Sequence, residues 1–235
     1  MTGLSDLSLG IITYDHPHLK TDQVVSRLLA QHRFQNVVLF TLPFTPRPAR
    51  PVLFNHRPDQ STGRDPAGLA GAYGLAVEPW DGKAPIGPMD NYVITGAGLI
   101  DPALALGGPV LNAHPGLIPT ARGLDAFKWA IHDGLPLGIT LHEIDAAVDS
   151  GTVRAYARTP VRADDSLADL AARHYENEIT LLADFPRHLH NRPKAHLPAN
   201  APRKRMGRAT EKEMITRFPG YREKYITTGT EPHQP

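Results

Sequence analysis

The sequence predicts an α/β domain built on a mostly parallel, twisted sheet with helices on both faces, followed by an irregular C-terminal tail. Three observations predict it. Short apolar runs of strand length recur along the chain, each ending in Gly, Pro or another turn residue. Amphipathic stretches of helical period fall between several of them, which favours β-α-β units with right-handed crossovers. The length, 235 residues, is enough for one large core of this kind.

The elements follow in order. "SLGIIT" at 8–13 reads as a buried strand. A helix capped by Thr21 then runs to about His32, with Val24, Val25, Leu28 and Leu29 on one stripe. "NVVLFTL" at 36–42 is the second buried strand. Residues 43–64, rich in Pro and Arg, read as a long loop, and Asp65-Pro66 opens a short helix as cap and first-turn residue. "NYVIT" at 91–95 is a strand closed by Gly96 and Gly98, and "GPVLNAH" at 108–114 is another, ended by Pro115 and Gly116. "GLDAFKWAIHDG" reads as a helix with Leu124, Phe127 and Ile131 on one face and Gly134 past its end. "GITLHEID" at 138–145 and "TVRAYARTPV" at 152–161 are strands. Asp165 or Ser166 caps a long helix that turns Leu167, Leu170, Ala171, Ile179 and Leu182 inward. Residues 1–189 thus form one domain. Residues 190–235, where Pro, Arg and Lys accumulate, are an extension with no core of their own.

Composition excludes several classes of function. With no Cys there is no disulfide framework, thiolate zinc site or Cys nucleophile, which fits a cytoplasmic protein. No apolar run is long enough to span a bilayer, and the N-terminus lacks the basic and apolar regions of a signal peptide. A net charge of +1 gives no global attraction to nucleic acid or an anionic membrane. The basic stretch at 192–208 lacks interleaved aromatics, so it reads as a solvated tail or subunit-contact arm, and Phe218, Tyr221 and Tyr225 make a homodimer arm conceivable.

Polar residues in the strand run at 108–114 mark a site. Side chains alternate along a strand, so Asn112 and His114 project together at its carboxyl end, where open α/β sheets bind ligands. An amide and an imidazole side by side offer two donors to one developing oxyanion. A second cluster follows in "LHEIDAAVDSG", with His142, Asp145 and Asp149, and Gly151 suits a sharp turn there. An Asp in such a turn can accept a proton or hold an imidazolium. Taken singly, each group also fits a plain structural role, because most buried polar groups are simply hydrogen-bonded. No spacing typical of metal ligands appears, so no metal is expected.

In combination these residues resemble a known family. "LNAHPGLIPTARGLDAFKWAI" followed by "GITLHEIDAAVDSGTV" resembles the formyltetrahydrofolate-dependent formyltransferases, which act on glycinamide ribonucleotide, methionyl-tRNA or amino sugars. The shared pieces are Asn-x-His-Pro, a Leu-x-Pro turn, Gly-x-Thr-x-His and an Asp-x-Gly turn, dense over 108–161. The resemblance implies a Rossmann-like formyltransferase fold and 10-formyltetrahydrofolate as co-substrate. It implies catalysis by Asn112, His114 and Asp149, with His142 in support. It also implies a pterin slot between Gly98, Leu99 and Ile100 and the loop that begins at Asp145 and Ala146, although Leu99 and Ile100 read from sequence as ordinary core residues.

The chain departs from the purine-pathway members after its first strand. "TYDHPHLKT" stands where they carry a Gly- and Ser-rich phosphate loop, leaving His16, His18 and Lys20 to meet any anion by side chain. In the loop at 54–66, Arg57, Asp59 and Gln60 are suited either to orienting a polar substrate or to stabilising the loop, and Arg57 is the candidate taken forward with His18 and Lys20. The tRNA-directed members carry a C-terminal β-barrel for which this tail is too short. The expected reaction is formyl transfer to an amine or hydroxylamine of a small polar metabolite, first of all a nucleotide-linked amino sugar. Two rivals stay open: a formyltetrahydrofolate hydrolase, weakened because no regulatory segment precedes the first strand, and a non-catalytic folate-binding module.

Overall fold

The computed structural model describes residues 4–46, 50–145, 151–191 and 200–226. Among the described residues nine strands are formed: β1 (Ser8–Tyr14), β2 (Asn36–Leu42), β3 (Ala76–Pro79), β4 (Ile86–Met89), β5 (Asn91–Ile94), β6 (Ala105–Gly107), β7 (Val110–His114), β8 (Gly138–Glu143) and β9 (Val153–Arg158). Five α-helices accompany them among the same residues: α1 (Leu19–Gln31), α2 (Pro66–Tyr73), α3 (Ala126–Asp133), α4 (Leu167–Ala183) and α5 (Arg208–Tyr225). Seven strands make the main sheet in the order β3-β2-β1-β5-β7-β8-β9, and β4 pairs with β6 in a small second sheet. The first four pairings across the main sheet are parallel and the last two, β7 with β8 and β8 with β9, are antiparallel.

The period-2 pattern sorts the strand residues onto two faces. Leu9 and Ile11 of β1 and Leu111 and Ala113 of β7 face a core closed by α1 (Val24, Val25, Leu28), α2 (Leu69) and α4 (Tyr175, Ile179, Leu182). Ile12, Val38, Phe40, Tyr92 and Val110 face the other way, and there the sequence expectation of helices on both faces needs correcting. That side is roofed by Trp80, Ile86, Met89 and Ala105, which come from the small sheet and its connections. A third core joins α3 to the start of α4 and to α5 through Phe127, Ile131, Leu170, Met214, Phe218 and Tyr221.

Local chemistry explains the element ends. Asp65 caps α2 by accepting from Gly68 N, with Pro66 in the first turn. Ser166, rather than Asp165, caps α4 in a reciprocal box with Asp169. Helix α1 starts two residues before the expected cap: His18 holds the cap position, while Thr21 turns inward and spends its hydroxyl on Thr13, 2.6 Å away, and Thr95, 3.0 Å away. Helix α3 starts later than predicted, so Leu124 lies outside it and exposed instead of sharing a face with Phe127 and Ile131.

The largest difference is at the C-terminus. The segment expected to be irregular contains α5, an 18-residue helix. Its hydrophobic periodicity is interrupted by buried Glu211, which pairs with Lys128 of α3 and accepts from Leu53 N at 2.7 Å, so the polar residue is part of the packing. None of the helices formed by described residues is long and apolar enough to cross a membrane.

Candidate active site

Following the strand order places the site. From β1 the chain moves outward to β2 and β3, then returns to the other side of β1 to lay down β5 and β7. Such a reversal leaves a crevice beyond the carboxyl ends of the strands, between β1 and β5. Two polar clusters gather on that side of the molecule.

The first cluster stands on β7 and β8. Asn112 is directly opposite His142, and His114 directly opposite Thr140. Asn112 Nδ2 lies 3.4 Å from His142 Nε2, at the long end for a hydrogen bond, and an amide donor there makes this ring nitrogen the acceptor. His114 is 3% exposed, and its Nε2 lies 2.8 Å from the Ala121 carbonyl oxygen. A carbonyl can only accept, so Nε2 carries a proton. Gly116 allows this bond: a Cβ there would come within 2.4 Å of Ala121 O and 2.8 Å of His114 Nε2.

The turn that carries Ala121 is fixed by two neighbouring strands. Thr140 Oγ1 donates to Gly116 O at 2.6 Å and accepts from Ile118 N at 3.0 Å, while Tyr156 Oη of β9 donates to Ile118 O at 2.9 Å. The β8–β9 register slips between Leu141 and His142, inserting one extra residue of β9 beside the site. From the far side, His174 of α4 donates through Nε2 to Pro115 O at 3.2 Å, and its Nδ1 lies 2.8 Å from Thr159 Oγ1. Burial lowers the His174 imidazole to about 4, so it is neutral at pH 7.

The second cluster fills the crevice beside β1 and β5. Glu178 of α4 is 1% exposed and receives two cations: Lys20 Nζ at 2.7 Å on one oxygen and Arg57 on the other. Burial alone would raise the Glu178 carboxyl, yet Arg57 and Lys20 outweigh it and hold it at about 2. Burial lowers Lys20. His18 hydrogen-bonds Thr21 Oγ1 at 2.9 Å, and burial, with Lys20 adding to it, lowers its ring to about 4. His56 stacks on Phe127 at 5.7 Å and is lowered to about 3, again mainly by burial. With the imidazoles neutral, two cations face one carboxylate and the cluster has a surplus positive charge. Tyr14, His16, His18 and Phe44 form an aromatic group at its rim, with His16 and Phe44 centroids 3.7 Å apart.

Several sequence candidates are thus drawn together. Asn112, His114 and His142 share one face of adjacent strands. His18, Lys20 and Arg57, far apart in sequence, converge near Glu178, although Lys20 is buried in an ion pair and is not a free surface cation. Asp59 stabilises its own loop by accepting from Ser61 N at 2.9 Å, and Gln60 accepts from Lys20 N at 3.3 Å. Leu99 departs from the expectation of core: it is 89% exposed, while Ile100, like Ile144, packs against the second core. Gly98 has open space where a Cβ would be, and Asp145 is exposed. Ala146 and Asp149 lie outside the described residues. Gly151, with φ of 90°, has the turn conformation expected of it.

The sequence reading missed Glu178 and His174, and it took Thr140 only as part of the Gly-x-Thr-x-His motif, with no role of its own. Glu178 and His174 sit at i and i−4 on the stripe of α4 that carries Leu170 and Leu182, and a His and a Glu within an apolar stripe were the available signal.

The chain is also similar to several known proteins. Residues 99–185 match the family model described as formyl transferase. A phosphoribosylglycinamide formyltransferase of Haemophilus influenzae is 36% identical over 72 residues, covering 30% of this chain and 34% of that protein. A methionyl-tRNA formyltransferase of Paraburkholderia phytofirmans is 36% identical over 101 residues, covering 41% and 31%. The matched stretches thus span about a third of the length of these relatives. Among solved structures, an N-formyltransferase from Helicobacter canadensis in complex with folinic acid and dTDP-3-aminofucose superposes with a TM-score of 0.62 at 14% identity, covering 94% of this chain and 83% of that one. A phosphoribosylglycinamide formyltransferase from Streptococcus pneumoniae gives a TM-score of 0.52 at 19% identity, covering 78% and 98%. At these identities the superpositions establish the fold, which is that of the formyltransferases.

Proposed function

We propose that this chain, a member of the formyltransferase family by its match at residues 99–185, moves a formyl group from 10-formyltetrahydrofolate to the amine or hydroxylamine of a small polar metabolite. The observation that carries this reading is the pairing of Asn112 and His114 on one face of β7, with His142 opposite Asn112 on β8, inside the matched segment. When the acceptor nitrogen adds to the formyl carbon, charge develops on the carbonyl oxygen. The Asn112 amide and a protonated His114 ring are the donors placed to meet it. Asp149 is assigned the proton traffic between the attacking nitrogen and the departing folate nitrogen, through water. His142 supports Asn112 by accepting from its amide.

The pterin ring is assigned to the side of the second core where Ile100 and Ile144 pack, with Gly98, exposed Leu99 and Asp145 assigned to the same slot. Ala146 is assigned to the same wall. The acceptor is assigned to the neighbouring crevice, where Lys20 and Arg57 leave surplus positive charge around Glu178, His18 offers a neutral ring, and the Tyr14–Phe44 aromatic group offers a stacking face. Charge and aromatic surface together favour a nucleotide-linked amino sugar. A glycinamide ribonucleotide is the second reading, favoured by the phosphoribosylglycinamide formyltransferase match and opposed by the absence of glycine from residues 13–21.

The test is a mass-spectrometric screen in which the protein and formyl donor are incubated with nucleotide-linked amino sugars, glycinamide ribonucleotide and simple amines. Gain of one formyl group on a nucleotide sugar is the expected result. Formate release at the same rate without any amine would replace the transferase reading with a hydrolase, and donor binding without turnover would leave a folate-binding module.

A further inference from the structure

We infer that residues 200–206, part of the basic C-terminal extension, are a positioning strap for the His114 imidazole; the functional meaning of this rests on the catalytic role proposed for His114. The link is the Ala121 carbonyl, which accepts from His114 Nε2 at 2.8 Å. The strap grips the chain on both sides of that carbonyl. On one side, Asn200 Nδ2 donates to Thr120 O at 3.0 Å and Asn200 N donates to Pro119 O at 3.2 Å. On the other, Arg203 N donates to Arg122 O at 2.9 Å, Leu124 N donates to Arg203 O at 2.9 Å, and Arg122 Nη1 donates to Asn200 O at 2.9 Å. Ala121 therefore lies in a short segment whose backbone is held at 119, 120, 122 and 124 by chain about 80 residues downstream.

The strap is itself anchored away from the site. The Arg203 guanidinium lies 4.5 Å from the centre of the Trp129 ring and 2.7 Å from Asp133, both on α3. Trp129 Nε1 donates to Lys204 O at 2.8 Å, and Met206 N donates to Asp125 at 3.0 Å. Met206 is buried in the core shared by α3 and α5. Gly123 makes the close approach feasible: its φ is +90°, and a Cβ there would lie 2.3 Å from Arg203 O and 2.5 Å from Arg203 N.

The consequence concerns ring orientation. An imidazole turns about its own side-chain bonds, and a carbonyl that can drift would hold it loosely. With Thr140 and Tyr156 fixing residues 116–118 and the strap fixing 119–124, the Ala121 oxygen is held from both directions. That keeps Nε2–H directed at the Ala121 carbonyl and fixes the angle of the ring's opposite edge. Catalysis is sensitive to such placement, since an error of about 1 Å can cost on the order of a hundredfold in rate.

The strap is tested in the full chain with Asn200→Ala and Arg203→Ala. Both residues are exposed, so the variants leave the cores intact. The first readout is long-range proton–nitrogen NMR of the His114 ring, assigned by the signal that His114→Gln removes. Both variants are expected to move that resonance and weaken its Nε2–H signature, and Arg203→Lys, which retains the charge facing Asp133, restores it in part. The second readout is kinetic: kcat falls about tenfold to a hundredfold with KM for donor and acceptor within about twofold, because the loss falls on the transition state. Ring resonances that superimpose on wild type in both alanine variants would overturn the inference, even if melting temperatures drop. Full turnover in His114→Gln would instead remove the catalytic reading of His114, while the resonance shifts would still decide whether the strap sets the ring.

Discussion

The two polar clusters at the carboxyl side of the sheet are built on opposite principles. Asn112, His114 and His142 rest on paired strands and are held through amide, imidazole and carbonyl groups, with Asn112 half-buried. Lys20, Arg57 and Glu178 come from a helix start, a loop and a distant helix, and are held by charge, with Glu178 sealed from solvent. The first arrangement is suited to meeting charge that appears only during a reaction, because its donors are held by hydrogen bonds on paired strands and cost little to keep in place. The second has most of its charge compensated inside the protein and ties together three parts of the chain. The difference predicts that damage to the first shows in rate, and damage to the second in stability.

Glu178→Gln tests the second cluster most severely. Removing the carboxylate leaves two cations facing each other in a buried site, and breaking one partner out of a buried pair costs about 3–5 kcal/mol. Equilibrium denaturation should show a loss of that order. A loss below about 1 kcal/mol would mean the cluster relaxes into solvent and does not hold α1, the loop and α4 together.

Asn112→Ala is the matching test of the first cluster. Loss of one oxyanion donor costs about 2.7–4 kcal/mol of transition-state stabilisation, or about a hundredfold to a thousandfold in kcat. Stability should change by about 1 kcal/mol or less, since the bond to His142 is long and the residue is half-buried. A variant that kept its rate and lost its stability would reverse the distinction between the clusters.

Acid separates the groups further. His18 and His174 are lowered to about 4, so the folded protein resists protons that the unfolded chain takes up near 6.5. Their contribution is complete above about pH 6.5 and is lost as pH falls toward 4, at up to about 1.4 kcal/mol per pH unit for each ring. Glu178, lowered to about 2, contributes above its ordinary carboxylate range and loses that contribution only as pH falls from about 4.5 toward 2. Denaturant midpoints measured at pH 7, 5.5 and 4.5 should therefore fall already in the first interval. In His174→Phe, which keeps a ring and takes up no proton, that early fall should be shallower.

These features differ in how far the sequence disclosed them. β1, β2, β7 and β8 were legible because period-2 burial and turn residues are local signals, and Asn112 with His114 stood out as polar residues on such a strand. The antiparallel edge and the small β4–β6 sheet were not, because pairing direction depends on distant partners and β3 consists of only four exposed residues. Helix α5 was hidden by its basic, weakly amphipathic sequence and by Pro219, so its buried side depends on contacts with α3 that no local pattern encodes. The convergence of Lys20 and Arg57 on Glu178 joins positions 158 and 121 residues apart, which sequence spacing does not reveal. The Ala121 carbonyl, a backbone group, has no residue-type signature at all.

The smallest effect comes from Leu99, where exposure and function are easily separated. A leucine at 89% exposure contributes almost nothing to folding, so Leu99→Ser should leave stability within about 0.5 kcal/mol. If it forms the lip of the pterin slot, donor binding buries it, and burial of even part of such a side chain contributes about 1 kcal/mol. That corresponds to about a fivefold rise in KM for the formyl donor. The rise should come without a change in kcat, because the contact is the same in ground and transition states. An unchanged donor KM would move the slot away from residues 98–100. The neighbouring Ile100 cannot give so clean an answer, since it also packs against the second core and its loss would change stability and binding together.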